Sequence, residues 1–483
     1  MNSLEARVKA ALADLAGLTV YAGLRKHPLL RALRKLLAAL SRFHAEGGGG
    51  EAPDLFRFWP ALPRVLGGTA AASPIPKPGE SPFFSAIRFL TLTDDNPFTR
   101  AAELSEGGLE QGGLLFTLAR NDLARLGRIA CLDLSALGLG VAARFRAEGF
   151  PDQALLVEAE ARALKPGLAD NGQGNPERGP DPAFFPPGGD WAGDTGKFIA
   201  RLRHGGAGLL GLYRSFRWAS SSALPVLNPD PVRLSDLSGY QDQRGLVIAN
   251  TLRFLEGKPA GNILLYGDRG TGKSATVKAV CGDYASRGLR LLETPKESLG
   301  ELPAILEFTA SRGLKFVIFI DDLSFETTDD SFTALKALLE GSAESRPANT
   351  VVYATSNRRH LVKERHSDRP GPGISADAEV RSFDAMQEQL SLSDRFGLTV
   401  IFGAPNQEEY LDIACFIAEK RGLLPPLARA SGLGAETTAD SERIRGQFRE
   451  NAVRWERWFN GRSPRTARQF VDWVEGGGPF PWE

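Results

Sequence analysis

Cysteine is scarce in this chain, and its few copies lie far apart. Cys131, Cys281 and Cys415 are the only cysteines of 483 residues, and no C-x-x-C pair occurs. That argues against a disulfide framework and a thiolate zinc site, and it suits a reducing cytoplasm. Histidine is nearly as sparse. His27, His44, His204, His360 and His366 are spread without the spacing of a zinc hydrolase. A surplus of charge is missing as well: Lys and Arg number 58, and so do Asp and Glu. No overall field therefore draws the chain to nucleic acid or to an anionic membrane, although a local basic patch stays compatible. No apolar run approaches the roughly 20 residues that a bilayer span needs. Glu5 and Asp14 interrupt the N-terminal apolar pattern, which argues against a secretory signal. Internal repeats are absent, and residues 1–225 carry no chemical motif.

The length allows two or three domains with full cores. Residues 4–43 have helical stripes, Leu4, Val8, Leu12 and Leu15 in one and Leu29, Leu33, Leu36, Leu37 and Leu40 in the next. Residues 51–112 are rich in Pro and Gly and read as irregular. Helical spacing returns over 114–165, where Arg120, Arg125 and Arg128 share a face that reads as solvated. Residues 166–190 read as a linker or large loop, with helix again near 191–218.

From about Leu227 the texture changes. A helix is expected over Gln241 to Leu255, ended by Gly257. Apolar runs at 263–267, 289–294, 316–321, 350–356 and 398–403 then alternate with helical stretches. That pattern predicts a parallel sheet covered on both faces. After Asn406 the strands stop, and Glu408–Lys420, Glu442–Trp458 and Pro464–Glu475 read as three helices. The expected division is a mainly helical region with Pro/Gly-rich loops over 1–226, an α/β core over 227–405 and a small helical domain over 406–483.

The chemistry concentrates at Gly267-Asp268-Arg269-Gly270-Thr271-Gly272-Lys273-Ser274, which fits the phosphate-loop pattern G-x-x-x-x-G-K-[ST] between a strand and a helix. The glycines let backbone N–H groups close around phosphates, and the helix N-terminus adds positive potential. Lys273 is expected to reach the β- and γ-phosphates and the Ser274 hydroxyl to ligate Mg2+. The run 316–320 ends in two acids. Asp321 is the candidate metal acid; Asp322 is the candidate for orienting an attacking water, with Glu326 as the rival. Asn357 sits at the tip of the next strand, where it can bond a γ-phosphate or a water. Arg395 precedes the last strand. Ser463 and Pro464 open the final helix, and Arg465 and Arg468 share a face opposite Phe470 and Val474.

This order of phosphate loop, acidic strand, strand-end Asn, pre-strand Arg and final-helix Arg resembles the AAA+ ATPases, over about residues 228–476. The segments LLYGDRGTGKS, IDDLSFE, YATSNRRHL, LSDRFGL and SPRTARQF together resemble the bacterial AAA+ family known as domain of unknown function 815. The resemblance implies a five-stranded αβα core, a helical lid, and Mg2+-dependent ATP hydrolysis at the interfaces of a nucleotide-promoted homo-oligomer, a hexamer being one form. It places the first sensor on Asn357, the arginine finger on Arg395 and the second sensor on Arg465, with Arg468 as rival. Gly239, Tyr240 and Ala275 join the phosphate loop as expected nucleotide contacts.

Two roles compete. The pair Asp321-Asp322 and the stretch Asp394-Arg395-Phe396-Gly397-Leu398 also resemble replication initiators and helicase loaders, which remodel nucleic acid. Against that role, charge is balanced and no helix-turn-helix is expected after the lid. The other role is a protein-remodelling ATPase or switch. Threading unfoldases carry an aromatic loop where this chain has Pro295-Lys296-Glu297-Ser298-Leu299-Gly300, so processive threading is not expected. The sequence reads as a cytoplasmic ATPase acting on an unidentified protein partner, and nucleic acid stays open as the alternative.

Overall fold

The computed structural model describes residues 2–45, 58–72, 80–104, 109–110, 112–147, 149–164, 184–323, 335, 346–357, 395–425, 435–459, 461–477 and 480. It divides the chain into two compact units, Met1–Tyr213 with Arg312–Leu314, and Arg214–Ser311 with Lys315–Glu483.

The first unit is helical. Its helices are α1 (Asn2–Ala16), α2 (Pro28–Ala45), α3 (Ala61–Ala72), α4 (Pro82–Thr93), α5 (Pro97–Leu104), α6 (Leu114–Ala130), α7 (Leu134–Ala147), α8 (Pro151–Ala163) and α9 (Thr195–Gly205). The irregular stretch expected over 51–112 is corrected here, because α3, α4 and α5 lie in it. Two of its prolines start helices instead of breaking them. Pro82 and Pro97 occupy first helical positions, where proline's missing N–H costs nothing, and the Ser81 hydroxyl accepts the N–H of Phe84. One apolar core joins these helices, built on Trp59, Phe83, Phe98, Phe145, Phe198 and the leucines of α2. Of the α6 arginines, Arg120 and Arg128 are exposed and Arg125 is half-buried. Arg128 pairs with Asp14, and Arg125 donates to the carbonyl of Gly17. Among the described residues no single helix is long and apolar enough to cross a membrane; the bent pair α6–α7 approaches that composition, and its Leu123, Leu126, Ile129 and Phe145 are buried in this core.

A buried ion pair closes the unit. The Glu103 carboxylate accepts Arg312 Nε at 3.1 Å, Arg312 Nη2 at 2.9 Å, the Gly313 N–H at 2.9 Å and the Ala207 N–H at 2.8 Å. Both side chains are buried. Removing one partner strands the other charge away from water. Glu103→Ala is therefore expected to destabilise this unit by about 3–5 kcal/mol. Arg312→Ala should cost a similar amount, and the double substitution less than the sum. Urea titration followed by circular dichroism checks this, and losses below about 1 kcal/mol would place the pair among weak surface bridges.

The second unit carries a seven-stranded sheet in the order β2-β1-β4-β5-β6-β3-β7. The strands are β1 (Ser215–Ala219), β2 (Ser222–Pro225), β3 (Ile263–Gly267), β4 (Leu289–Glu293), β5 (Lys315–Ile320), β6 (Thr350–Ser356) and β7 (Leu398–Phe402). β1 and β2 are antiparallel and every other pairing is parallel. The five apolar runs became strands within one residue of their expected ends. The boundary expected after residue 226 is corrected, because the chain divides after Tyr213 and the β1–β2 hairpin extends the sheet. That hairpin turns on Ser220 and Ser221, both at positive φ (51° and 54°), the primed-turn geometry that Asn-Gly usually marks. Two serines give no such signal.

Helices cover both sheet faces. On one lie α10 (Gln241–Leu255) and α11 (Lys273–Asp283), whose Val247, Phe254, Val277 and Val280 pack against Leu265, Val317, Phe319 and Tyr353. On the other, α12 (Leu302–Ala310) sets Phe308 5.9 Å from Phe316. This is the αβα core expected from the sequence. α13 (Gln407–Lys420), α14 (Ala435–Trp458) and α15 (Pro464–Glu475) form a small helical lid around Tyr410, Phe448, Trp455 and Phe470.

Candidate functional site

The C-terminal ends of three parallel strands meet in the middle of the sheet. Leu265 stands beside Thr355 and Tyr266 beside Ser356, and Ile320 stands beside Ala354. Gly267, Asp321, Asp322 and Asn357 end or follow those strands and emerge on one rim, where open α/β sheets bind ligands.

The loop after β3 is shaped by close approach. Gly267 has φ 141°, and a Cβ there would lie 1.9 Å from the carbonyl oxygen of Phe402. That oxygen accepts the Asp268 N–H at 3.0 Å. Gly270 has φ 79°, and a Cβ would lie 3.1 Å from Arg465 Cβ and Ser463 Oγ. The carbonyl of Gly270 accepts the Arg465 N–H at 3.2 Å, so the first turn of α15 rests on the loop. The Ser463 hydroxyl caps that turn through the Thr466 N–H at 3.1 Å. α11 begins at Lys273, and its first N–H groups, without intrahelical acceptors, form a positive terminus.

Lys273 donates to the carbonyls of Gly267 (2.9 Å) and Asp268 (2.7 Å) and to Asn357 Oδ1 (3.2 Å). Burial pushes its pKa below the usual lysine value, while Asp268, Asp322 and Asp321 oppose that shift. Asp321 Oδ1 accepts the Ser274 hydroxyl at 2.6 Å and the Thr355 hydroxyl at 2.6 Å. Thr355 Oγ1 accepts the Asp322 N–H at 2.9 Å, and Asn357 Nδ2 donates to the Asp322 carboxylate at 2.6 Å. Asp322 stands in the left-handed region at φ 52°, where a non-glycine residue costs about 1–3 kcal/mol and is held by its surroundings. Here Thr355 and Asn357 supply that hold. Thr355 is the site residue that sequence reading missed. Its signal was the strand-end string Thr355-Ser356-Asn357, in which only the asparagine stood out.

These groups border a cleft of about 650 Å3, to which Arg269, Ala275, Arg465 and Arg468 also contribute. Among the described residues the guanidinium groups of Arg269, Arg465 and Arg468 have no carboxylate partner, so the cleft favours an anion. Arg465 and Arg468 both line it, and the geometry accommodates either as the lid cation. A smaller recess of about 40 Å3 adjoins it, between Leu237, Tyr240, Thr271, Phe402 and Ile413. Tyr240 precedes α10 at φ 52°. Its hydroxyl donates to the Gly403 carbonyl at 2.7 Å, and its ring lies 5.1 Å from Phe402. Burial pushes the Tyr240 phenol up to about 12, with Glu409 and Asp268 adding to the shift. Gly239 sits against Ile413 instead of lining the recess. Asp268 faces the site through its backbone, its carbonyl also accepting the Thr271 hydroxyl at 2.8 Å.

Arg395 lies apart from this cleft. It precedes β7, and β7 runs parallel to β3. The finger candidate therefore stands at the opposite end of the sheet from Lys273, roughly 17 Å of strand away. Glu326 and Asp394 fall outside the described residues. The residues present fit Mg2+ and a nucleotide phosphate chain: two hard oxygen donors, Ser274 and Asp321, converge beside Lys273 and a helix N-terminus.

Residues 212–478 match the sequence model of a family described as "Protein of unknown function (DUF815)". Among curated proteins no match is found. Solved structures similar to the chain include the RuvB Holliday junction branch migration motor of Thermotoga maritima, at 17% identity and TM-score 0.28 over 50% of this chain and 72% of that one. A single-substitution variant of it matches at 16% identity and TM-score 0.28, with the same coverage.

Proposed function

Because the chain belongs to the DUF815 family, and the matched residues contain the whole cleft, we propose that it is a Mg2+-dependent ATPase whose turnover switches the conformation of a protein partner. The observation that carries this reading is the connected set Lys273–Asn357–Asp322–Thr355–Asp321–Ser274 around the phosphate loop. Phosphoryl transfer asks a protein mainly for positioning and for charge against developing anions. Lys273, the α11 N-terminus and the lid arginines supply the charge. Ser274 and Asp321 would hold Mg2+, which when bound neutralises charge on the phosphates. Asp322, aimed by Thr355 and Asn357, is placed to orient an attacking water. Chemistry of this kind needs closure by a lid, and the contact of Arg465 with Gly270 couples α15 to the loop that would hold the phosphates. The helical unit is the part left to engage a partner. The recess with Tyr240 would take the base end of the nucleotide.

Asp322→Asn tests the assignment. It keeps the shape and an acceptor for Asn357 but removes the carboxylate. Mg2+-dependent phosphate release should fall by about a hundredfold or more, while ATP affinity changes little. Glu326→Gln should retain most turnover; inactivity of that variant alone would reverse the two roles. Absence of Mg2+-dependent hydrolysis in the unaltered chain, at any concentration, would end the ATPase reading.

A further inference from the structure

The small recess holds a cation that the phosphate chemistry does not use. Arg244 lies one turn into α10 and lines the recess together with Leu237, Tyr240, Thr276, Ile417 and Pro464. Its guanidinium is half-buried. Among the described residues that guanidinium has no carboxylate, carbonyl or ring partner, and only the Arg244 backbone N–H is engaged, by the Tyr240 carbonyl at 2.9 Å. Burial alone holds its pKa below the usual arginine value. The one acid of the recess, Asp236, is already taken by Lys420 and by the Arg233 N–H. A guanidinium drawn partly out of water without a counter-group is costly, and a ligand that completes it removes that cost.

Position decides what that ligand offers. The recess and the larger cleft share Leu237, Gly272, Pro464 and Arg468. A nucleotide whose phosphates lie on Lys273 can therefore extend its sugar and base into the recess. Its walls suit a flat ring, with Tyr240, Leu237 and Ile417 as apolar surface. Arginine brings five donors, no acceptor and a planar face that stacks on rings. Those properties match the acceptor atoms and π-face of a nucleobase.

We propose that Arg244 is the base-contacting residue of this site and sets which nucleobase is accepted. The proposal rests on the nucleotide-binding reading above. Other phosphate-facing cations, Arg269, Arg465 and Arg468, are already in the larger cleft, so Arg244 is not needed for the triphosphate.

The test uses the full chain with Arg244→Lys and Arg244→Ala, titrated by calorimetry with ATP, GTP and inorganic tripolyphosphate. Arg244→Lys keeps the charge and loses the planar fork. ATP affinity should fall about tenfold in both variants, and the ATP-to-GTP ratio should change, while tripolyphosphate affinity stays within about twofold in Arg244→Lys. Equal losses for ATP and tripolyphosphate in Arg244→Lys would overturn the proposal and make Arg244 a structural residue. So would unchanged ATP affinity in both variants. Thermal unfolding without nucleotide separates misfolding from lost contact. Failure of the unaltered chain to bind ATP and GTP alike would refute the nucleotide-binding reading itself, an outcome distinct from the others.

Discussion

Lys273→Ala is expected to lower the affinity for ATP by about a thousandfold, leaving the fold intact. The side chain is buried at the cleft floor with its ammonium on the Gly267 and Asp268 carbonyls and Asn357. Those contacts keep the ammonium beside the N-terminus of α11, where a phosphate chain would lie. Hydrogen bonds to a charged group contribute about 1.5–3 kcal/mol each. Turning two of its three donors from these neutral acceptors onto anionic phosphate oxygens would give up to about 4 kcal/mol, or three orders of magnitude in Kd. Alanine removes the cation and creates no clash. Fluorescent ATP-analogue titrations of both proteins at matched Mg2+ decide the matter, with circular dichroism to show that the variant is folded. Equal affinities would refute the phosphate-loop assignment.

Arg395→Ala is expected to bind ATP almost normally and to hydrolyse it slowly. An arginine finger accounts for about 10³–10⁵ in rate. The physical ground is strand polarity. β3 and β7 run parallel, pairing Ile263 with Leu398 and Gly267 with Phe402. A side chain that precedes β7 cannot reach the phosphate loop that follows β3 in the same subunit. As a finger it would act only on a neighbour's nucleotide, and hydrolysis would then depend on association. Turnover per subunit should therefore rise with protein concentration. Mixing Arg395→Ala with Lys273→Ala should restore part of the activity, because an intact Arg395 of the second protein can face an intact site of the first. Stable mixed assemblies with no activity above the separate variants would count against the trans role. Concentration-independent turnover, with full activity in Arg395→Ala, would leave Arg395 a surface residue.

Much of this molecule was legible from residues alone. The phosphate-loop pattern, the acid-ended strand and the arginine pair of the final helix stood out because phosphate chemistry demands particular residue types at short, fixed spacing. The five central strands could be read because strands buried on both faces of a parallel sheet appear as continuous apolar runs; every residue of β6 is buried. Other features had no such signature. The β1–β2 hairpin turns on two serines, and α4 and α5 hide behind prolines that happen to stand at helix starts. Thr355 became a site residue only when β5 and β6 paired and set its hydroxyl between Asp321 and Asp322. Arg244 reads as one more surface charge of an amphipathic helix until the lid and the β7 end enclose it. Glu103 finds Arg312 across 209 positions of sequence. The sequence by itself determined the phosphate-loop pattern and the alternation of strand and helix, since both depend on neighbours in the chain. Only tertiary structure decided which polar groups are buried together, because hydrogen bonding and desolvation act through space and leave no period in the sequence.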